Sequence, residues 1–166
     1  MPPPPSLTPS EKLFLVEAAY GRAMLRAHGI EKSLATWLIC SAHARDMADS
    51  SKPTPASIKR LTLGTLVERF IAEAAPSRDL MLKLRELLDL RNNLAHRISD
   101  QLECAALQID WHEHALVELN EAVERIAECR QSLLPHMEQA RTLAGISEEE
   151  VVAEIRRRYP YVEIDA

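Results

Sequence analysis

The residues best suited to chemistry lie in one short stretch, residues 87–97. Within it, Arg91 stands where helical periodicity predicts an apolar side chain. At about 100° per residue, Arg91 falls near the centre of an apolar stripe that contains Leu80, Leu84, Leu87, Leu88 and Ala95. Burying an unpaired guanidinium is costly, so we expect Arg91 to meet a carboxylate, a subunit interface or an anionic ligand.

A histidine, His96, follows Arg91 five residues later. The same helical wheel places His96 roughly 140° away from Arg91, so one straight helix cannot aim both side chains at one point. We expect one of two arrangements. Either the helix breaks between the two residues, or a two-fold axis brings Arg91 and His96 of two chains into a shared cleft.

This pair of side chains suits phosphate chemistry. A histidine has an unperturbed pKa of about 6.5 and can both accept and donate a proton near neutrality. A planar guanidinium offers bidentate donors to a phosphate group. Asn92 lies one turn before His96 and could hold the imidazole or contact phosphate. These residue types are therefore suited to binding a phosphate group at this helix.

A structural interpretation of the same residues stays open. Arg91 could bond a carboxylate such as Glu17 or Glu124 inside the bundle or dimer. His96 could simply end its helix, where a cation suits the helix dipole.

The Arg91-Asn92-x-x-x-His96 spacing resembles the R-x4-6-H signature of the HEPN superfamily, whose all-α domains occur in RNA-cleaving toxins, phage-defence effectors and CRISPR ribonucleases. The segment 61–67 is similar to the T-L-G turn and helix start that precede the motif helix in many such proteins. The resemblance in helix order extends over roughly residues 11–137. One subgroup carries a Tyr two residues after the His, where this chain has Ile98, so the resemblance does not imply nucleotide addition at that position.

The resemblance implies a metal-independent RNA endonuclease of the toxin or defence type that acts as a homodimer and needs no cofactor. His96 would act as general acid or base while the RNA 2′-hydroxyl attacks the neighbouring phosphorus, and Arg91 would stabilise the charge on the phosphoryl oxygens. We expect Asn92, Arg97 and His43 to support or line the cleft, with RNA as substrate and an antitoxin protein as a further partner.

Two other functions are compatible with the same residues. One is a non-catalytic dimeric module of the same fold that binds RNA, nucleotide or a partner protein through this groove. The other is a structural helical adaptor without a ligand.

Composition supports a helical protein with local basic character. Four glycines, abundant Ala, Leu and Glu, and few aromatic residues favour an all-α fold. The net charge of −5 argues against non-specific coating of nucleic acid. Positive residues nevertheless concentrate on the motif segment, at Arg78, Lys83, Arg85, Arg91 and Arg97.

The helix signals predict a four- to five-helix up-and-down bundle with a short C-terminal helix. We expect a disordered proline-rich arm over residues 1–8, the bundle over residues 9–143 and a helical appendage over residues 144–166. The predicted boundaries are an N-cap at Thr8, a helix end near Gly29, a second helix over 31–49, a cap at Thr62, a new start at Ser99, a kink at Pro135 and a stop at Gly145.

Other residue patterns argue against metals, disulfides and membranes. Cys40, Cys104 and Cys129 form no C-x-x-C pair, which favours a reducing cytosol. In the Trp-His-Glu-His run of residues 111–114, histidines two apart should face different sides of a helix, so we expect no metal site. The chain lacks a signal-peptide pattern and an apolar run long enough to span a membrane, and we expect a cytoplasmic protein.

Overall fold

The computed structural model describes residues 7–44, 55–105, 111–147, 149–150, 152–153 and 157. These parts of the chain contain helices and no strand, which confirms the all-α fold class. The helices are α1 (Pro9–Ala44), α2 (Pro55–Ile58), α3 (Leu63–Ala74), α4 (Arg78–Ala105) and α5 (Trp111–Leu143). Most of the predicted proline-rich arm, residues 1–6, lies outside the described residues.

Helix α1 begins at the predicted capping box. The Thr8 backbone N–H and hydroxyl donate to the Glu11 carboxylate at 2.8 and 2.7 Å, and the Glu11 N–H donates back to Thr8 Oγ1. These hydrogen bonds from Thr8 lower the pKa of Glu11. The start of the first helix could therefore be predicted from local sequence alone.

The predicted end of that helix near Gly29 is wrong, because α1 continues without a break to Ala44. A glycine inside a helix costs only about 1 kcal/mol. The packed face outweighs that cost, since α1 packs along α5 more extensively than any other pair of helices. The buried face runs through both halves of α1, at Val16, Ala19, Ala23, Ala27, Ile30, Leu34 and Leu38.

Helices α3 and α4 form a tight hairpin. Thr62 caps α3 by accepting a hydrogen bond from the Thr65 N–H, as predicted. Ala75 ends the helix in the left-handed conformation, with φ of 43°, and Ser77 Oγ accepts from the Leu80 N–H at the start of α4.

The predicted new helix start at Ser99 is also wrong, since α4 is helical from Arg78 to Ala105. Residues 78–105 contain no glycine or proline. Serine and aspartate are frequent at helix caps, but Ser99 and Asp100 have no glycine or proline beside them that would end the helix.

Helix α5 continues through Pro135 to Leu143, and the predicted stop at Gly145 lies in the turn that follows. Gly145 has φ of 69°, and its N–H donates to the Thr142 carbonyl while the Ile146 N–H donates to the Arg141 carbonyl. Ser147 and Glu150 then form a second capping box, which is the start predicted for the C-terminal helix.

The helix directions follow from contacts between the helices. Near the C-terminal ends of α1, α3 and α5, the rings of Trp37, Phe70 and His136 meet edge to face, with centroids 4.8 and 5.3 Å apart. These three helices therefore run in one direction. Along α4, Lys83 contacts Ser132 of α5 and Glu86 contacts the earlier Arg125, so α4 runs antiparallel to α5. No helix in the described parts is long and apolar enough to cross a membrane.

Candidate functional site

Arg91 lies on the apolar face of α4, as its position in the sequence predicts. Four leucines on this face are almost fully buried, and they stand in the same four-three spacing as Arg91, at Leu80, Leu84, Leu87 and Leu94. Arg91 itself is half-buried. The bundle therefore holds a guanidinium in line with its core leucines, with part of the side chain reaching solvent.

Within the part of the chain that the structure describes, Arg91 has no hydrogen bond or salt bridge. Glu17 and Glu124, the carboxylates considered as internal partners, are both exposed and are not paired with it. A half-buried cation without a counter-charge keeps its donors free for a group from outside the chain.

His96 is exposed and lies on the same unbroken helix. A helix break cannot bring it to Arg91, so the first of the two expected arrangements is wrong. Because α4 is continuous, the two residues stay separated by roughly 140° around the helix axis. The two side chains therefore leave α4 in different directions.

The other predicted site residues lie on the same two helices. Asn92 is exposed, one turn before His96 on the same side of α4. Arg97 belongs to α4 and His43 to α1, but the side chains of both lie outside the described residues.

Two further arginines share the outer face of α4 with His96. Arg78 and Arg85 are exposed, seven residues apart, and lie within about 40° of Asn92 and His96 on the wheel. Neither arginine forms a salt bridge in the described residues. The sequence located these charges on the motif segment. Their seven-residue spacing was the signal that could have placed them on the face of His96.

Lys83, in contrast, is already paired with groups of the same chain. Its Nζ contacts Asp79 at 3.0 Å and the Ser132 hydroxyl at 3.1 Å. The hydrogen bond to Asp79 is the main reason that the pKa of Lys83 is raised. Lys83 therefore joins α4 to α5 and contributes less free positive charge than the sequence indicates.

The buried thiols are unsuited to nucleophilic chemistry. Burial raises the pKa of Cys129 to about 11 and also raises the pKa of Cys40. Both cysteines are free and buried. A thiol must lose its proton to act as a nucleophile, so these two stay unreactive near neutral pH.

The histidines of the 111–114 run face different sides of α5, as their spacing predicts. His112 is buried, and its ring centroid lies 5.9 Å from that of Trp111. His114 is exposed, and its Nε2 lies 3.1 Å from Glu118 Oε1. Among the described residues, no group of three or more His, Cys, Asp or Glu side chains could hold a metal ion.

A cavity that the sequence did not indicate lies where the C-terminal turns of α1, α3 and α5 meet. It has a volume of about 330 Å³, and its polar lining includes Ser41, Glu73 and His136. Of the predicted site residues whose side chains the structure describes, Arg91, Asn92 and His96, none lines it. The cavity is therefore separate from the Arg91 region.

No family model, curated protein or solved structure matches this chain. The functional argument therefore depends on the residues themselves.

Proposed function

We propose that this protein is a metal-independent RNA endonuclease of the toxin or defence type, acting through a cleft that two copies of the chain form together. The observation that carries the proposal is the state of Arg91. It is half-buried in line with core leucines and has no counter-charge within the described residues, and it shares α4 with the exposed His96.

The proposed reaction is an internal transfer within RNA. His96 takes the proton of a ribose 2′-hydroxyl, the 2′-oxygen bonds to the adjacent phosphorus, and the bond from phosphorus to the 5′-oxygen of the next nucleotide breaks. The leaving 5′-oxygen takes a proton from water, and His96 releases the proton that it took to water. The products are a 2′,3′-cyclic phosphate and a 5′-hydroxyl end. DNA lacks the attacking hydroxyl and should resist cleavage.

Arg91 has an electrostatic role in this reaction. As negative charge grows on the non-bridging phosphoryl oxygens, a guanidinium can donate two parallel hydrogen bonds to them. Arg91 lies between buried leucines on α4, so part of its side chain is shielded from water, and its interaction with a phosphate is stronger there than in full solvent.

The outer face of α4 supports RNA as the substrate class. Arg78, Arg85 and Asn92 are exposed beside His96, and the two arginines form no salt bridge in the described residues. Contacts of arginine with phosphate supply much of the affinity of proteins for nucleic acid and weaken as salt is added. In a toxin, a partner antitoxin protein could block the same face.

The geometry also supports a second candidate, a non-catalytic module that binds RNA, nucleotide or a partner protein. Arg91 and His96 face different directions on one helix. Two residues with separate binding roles would need no composite cleft.

Cleavage assays separate the two candidates. Purified protein is incubated with total RNA and with matched single-stranded DNA in excess EDTA, and the new ends are identified. We expect RNA cleavage with cyclic-phosphate ends in the wild type. Cleavage should be at least about a hundredfold slower in Arg91→Ala, which loses a donor to the transition state, and in His96→Ala, which loses the general base.

Two variants serve as matched controls. Arg130→Ala removes an exposed arginine from α5, and His114→Ala removes an exposed histidine from the same helix. Both should keep wild-type activity. RNA binding without cleavage, with loss of binding in Arg91→Ala, would instead assign the non-catalytic module.

A further inference from the structure

The cavity between the C-terminal ends of α1, α3 and α5 has the size of a small-molecule site. Its volume is about 330 Å³. Sites for small molecules in proteins start at about 300 Å³. A water molecule takes up about 30 Å³ in the liquid, so the cavity has room for a ligand of roughly ten non-hydrogen atoms.

Two aromatic rings in the wall of this cavity belong to the packed core of the bundle. Trp37 and His136 both line the cavity. Both rings also pack edge to face on Phe70, which is fully buried, with centroids 4.8 and 5.3 Å from its own. Ala140 and Leu143 add further apolar surface. The fold itself therefore builds a cavity with an apolar side that could hold the body of an organic ligand.

The polar groups of the cavity come from three helices. They are Ser41 of α1, Glu73 of α3, and His136 and Gln139 of α5. Among the described residues that line the cavity, Glu73 is the one acid, and none is a lysine or an arginine. An anion would meet a carboxylate here without a permanent counter-charge, so this lining disfavours anions and favours cations.

The helix ends act in the same direction as Glu73. Glu73 and Ala74 are the last two residues of α3, and Leu143 is the last residue of α5. The C-terminal end of a helix carries a partial negative charge of roughly one half. The last turn of α3 contains no basic residue, and Arg141 of α5 pairs with Glu138 at 2.8 Å and does not line the cavity.

A bare metal ion fits this lining poorly. In the part of the chain that the structure describes, no group of three or more His, Cys, Asp or Glu side chains could hold one. An organic cation matches both sides of the cavity. Its charged group can meet the carboxylate, and its apolar part can pack on the indole ring of Trp37, since aromatic rings also attract cations.

We propose that this cavity binds a small organic amine in its protonated form. The ammonium group donates hydrogen bonds to the Glu73 carboxylate and the Gln139 side-chain carbonyl, and the apolar part of the ligand lies against Trp37 and Leu143. This site is separate from Arg91 and His96, so the proposal does not depend on the ribonuclease activity.

The fluorescence of Trp37 tests the proposal. The chain has two tryptophans. The other one, Trp111, precedes His136 on α5 by a helix length of about 37 Å, so Trp111→Phe leaves one tryptophan, in the wall of the cavity. This chain is titrated with phenethylamine, with neutral 2-phenylethanol and with anionic phenylacetate. We expect saturable binding of phenethylamine and at least about tenfold weaker binding of the other two, which lack the charged donor.

Variants made in the same background locate the site. Glu73→Gln should weaken the binding of phenethylamine at least about tenfold, because a charge-assisted hydrogen bond becomes a neutral one. Glu68→Gln is the matched control, since Glu68 is also an exposed carboxylate of α3 but does not line the cavity, and it should bind like the parent. Ala74→Leu places a larger side chain in the cavity and should also weaken binding. Circular dichroism verifies that each variant is folded.

Three outcomes would overturn the proposal. In the first, neither fluorescence nor titration calorimetry detects phenethylamine up to about 10 mM, ten times a millimolar dissociation constant. In the second, all three compounds bind with equal affinity. In the third, a folded Glu73→Gln chain binds phenethylamine as tightly as Glu68→Gln. The experiment uses no RNA, so its failure is distinguishable from failure of the ribonuclease proposal.

Discussion

At the scale of single residues, we expect Arg91 to lower the free energy of unfolding of the isolated chain. Its neighbours along the same face are buried leucines, and no carboxylate of the described chain compensates its charge. Residues that bind substrates or partners often cost stability in this way. The interpretation of Arg91 as a functional residue therefore predicts that the isolated protein is more stable without it.

We expect Arg91→Leu to raise the free energy of unfolding by about 1 kcal/mol, because leucine continues the apolar stripe and no ion pair is lost. Urea unfolding followed by circular dichroism measures the change. Arg85→Leu, at an exposed position of the same helix, should stay within about 0.5 kcal/mol of wild type. A clear loss of stability in Arg91→Leu would mean that the guanidinium has a partner within the folded chain.

The cysteines give a second prediction at this scale. In a Cys104→Ser background, the remaining thiols Cys40 and Cys129 should react with a thiol reagent at pH 7.5 far more slowly than in urea, since burial raises both pKa values. The time course of Ellman's reagent measures the rate. Rapid labelling of the folded protein would contradict the buried placement of these side chains.

The pKa of Cys129 also sets a pH dependence. Burial raises it from about 9 to about 11, so the folded state holds this proton more tightly than the unfolded state. The stabilisation from the neutral thiol is therefore complete below pH 9 and is lost between pH 9 and about 11. Urea unfolding across this range should show stability falling, and Cys129→Ala should reduce the slope.

At the scale of the elements, local signals predicted helix ends where the chain itself supplies the cap. Thr8, Thr62 and Gly145 each satisfy exposed backbone groups within a few residues, so these ends could be read from the sequence. The break expected at Gly29 depends on packing between distant helices, whereas Ser99 lies in a stretch without a glycine or proline to end the helix. The contact of α1 with α5 keeps α1 continuous, and no local pattern contains that information.

Ala75 gives a prediction at the element scale. It ends α3 with φ of 43°, a left-handed conformation that costs about 1 kcal/mol or more for a residue with a side chain. Ala75→Gly should raise the free energy of unfolding by about 0.5–1 kcal/mol, measured by urea unfolding. Ala72→Gly, at an exposed position inside α3, should lower it by a similar amount, and stabilisation in both variants would contradict the capping argument.

At the scale of the whole molecule, the bundle explains why one chain does not form the proposed site alone. The sequence predicted both the core position of Arg91 and its angle to His96, because a continuous helix fixes them. The absence of glycine and proline from residues 78–105 favoured a continuous helix, but the sequence could not predict which surface a second copy would contact. The proposed site thus depends on assembly as much as on folding.

Mixing two inactive variants tests the composite cleft most directly. Arg91→Ala and His96→Ala chains are combined, allowed to exchange subunits, and assayed for RNA cleavage with EDTA. If each site takes Arg91 from one chain and His96 from the other, half of the dimers are mixed and each has one intact site, so about a quarter of the wild-type activity should return. Activity that stays at the level of the separate variants, with exchange verified by labelled chains, would contradict a cleft shared between two chains.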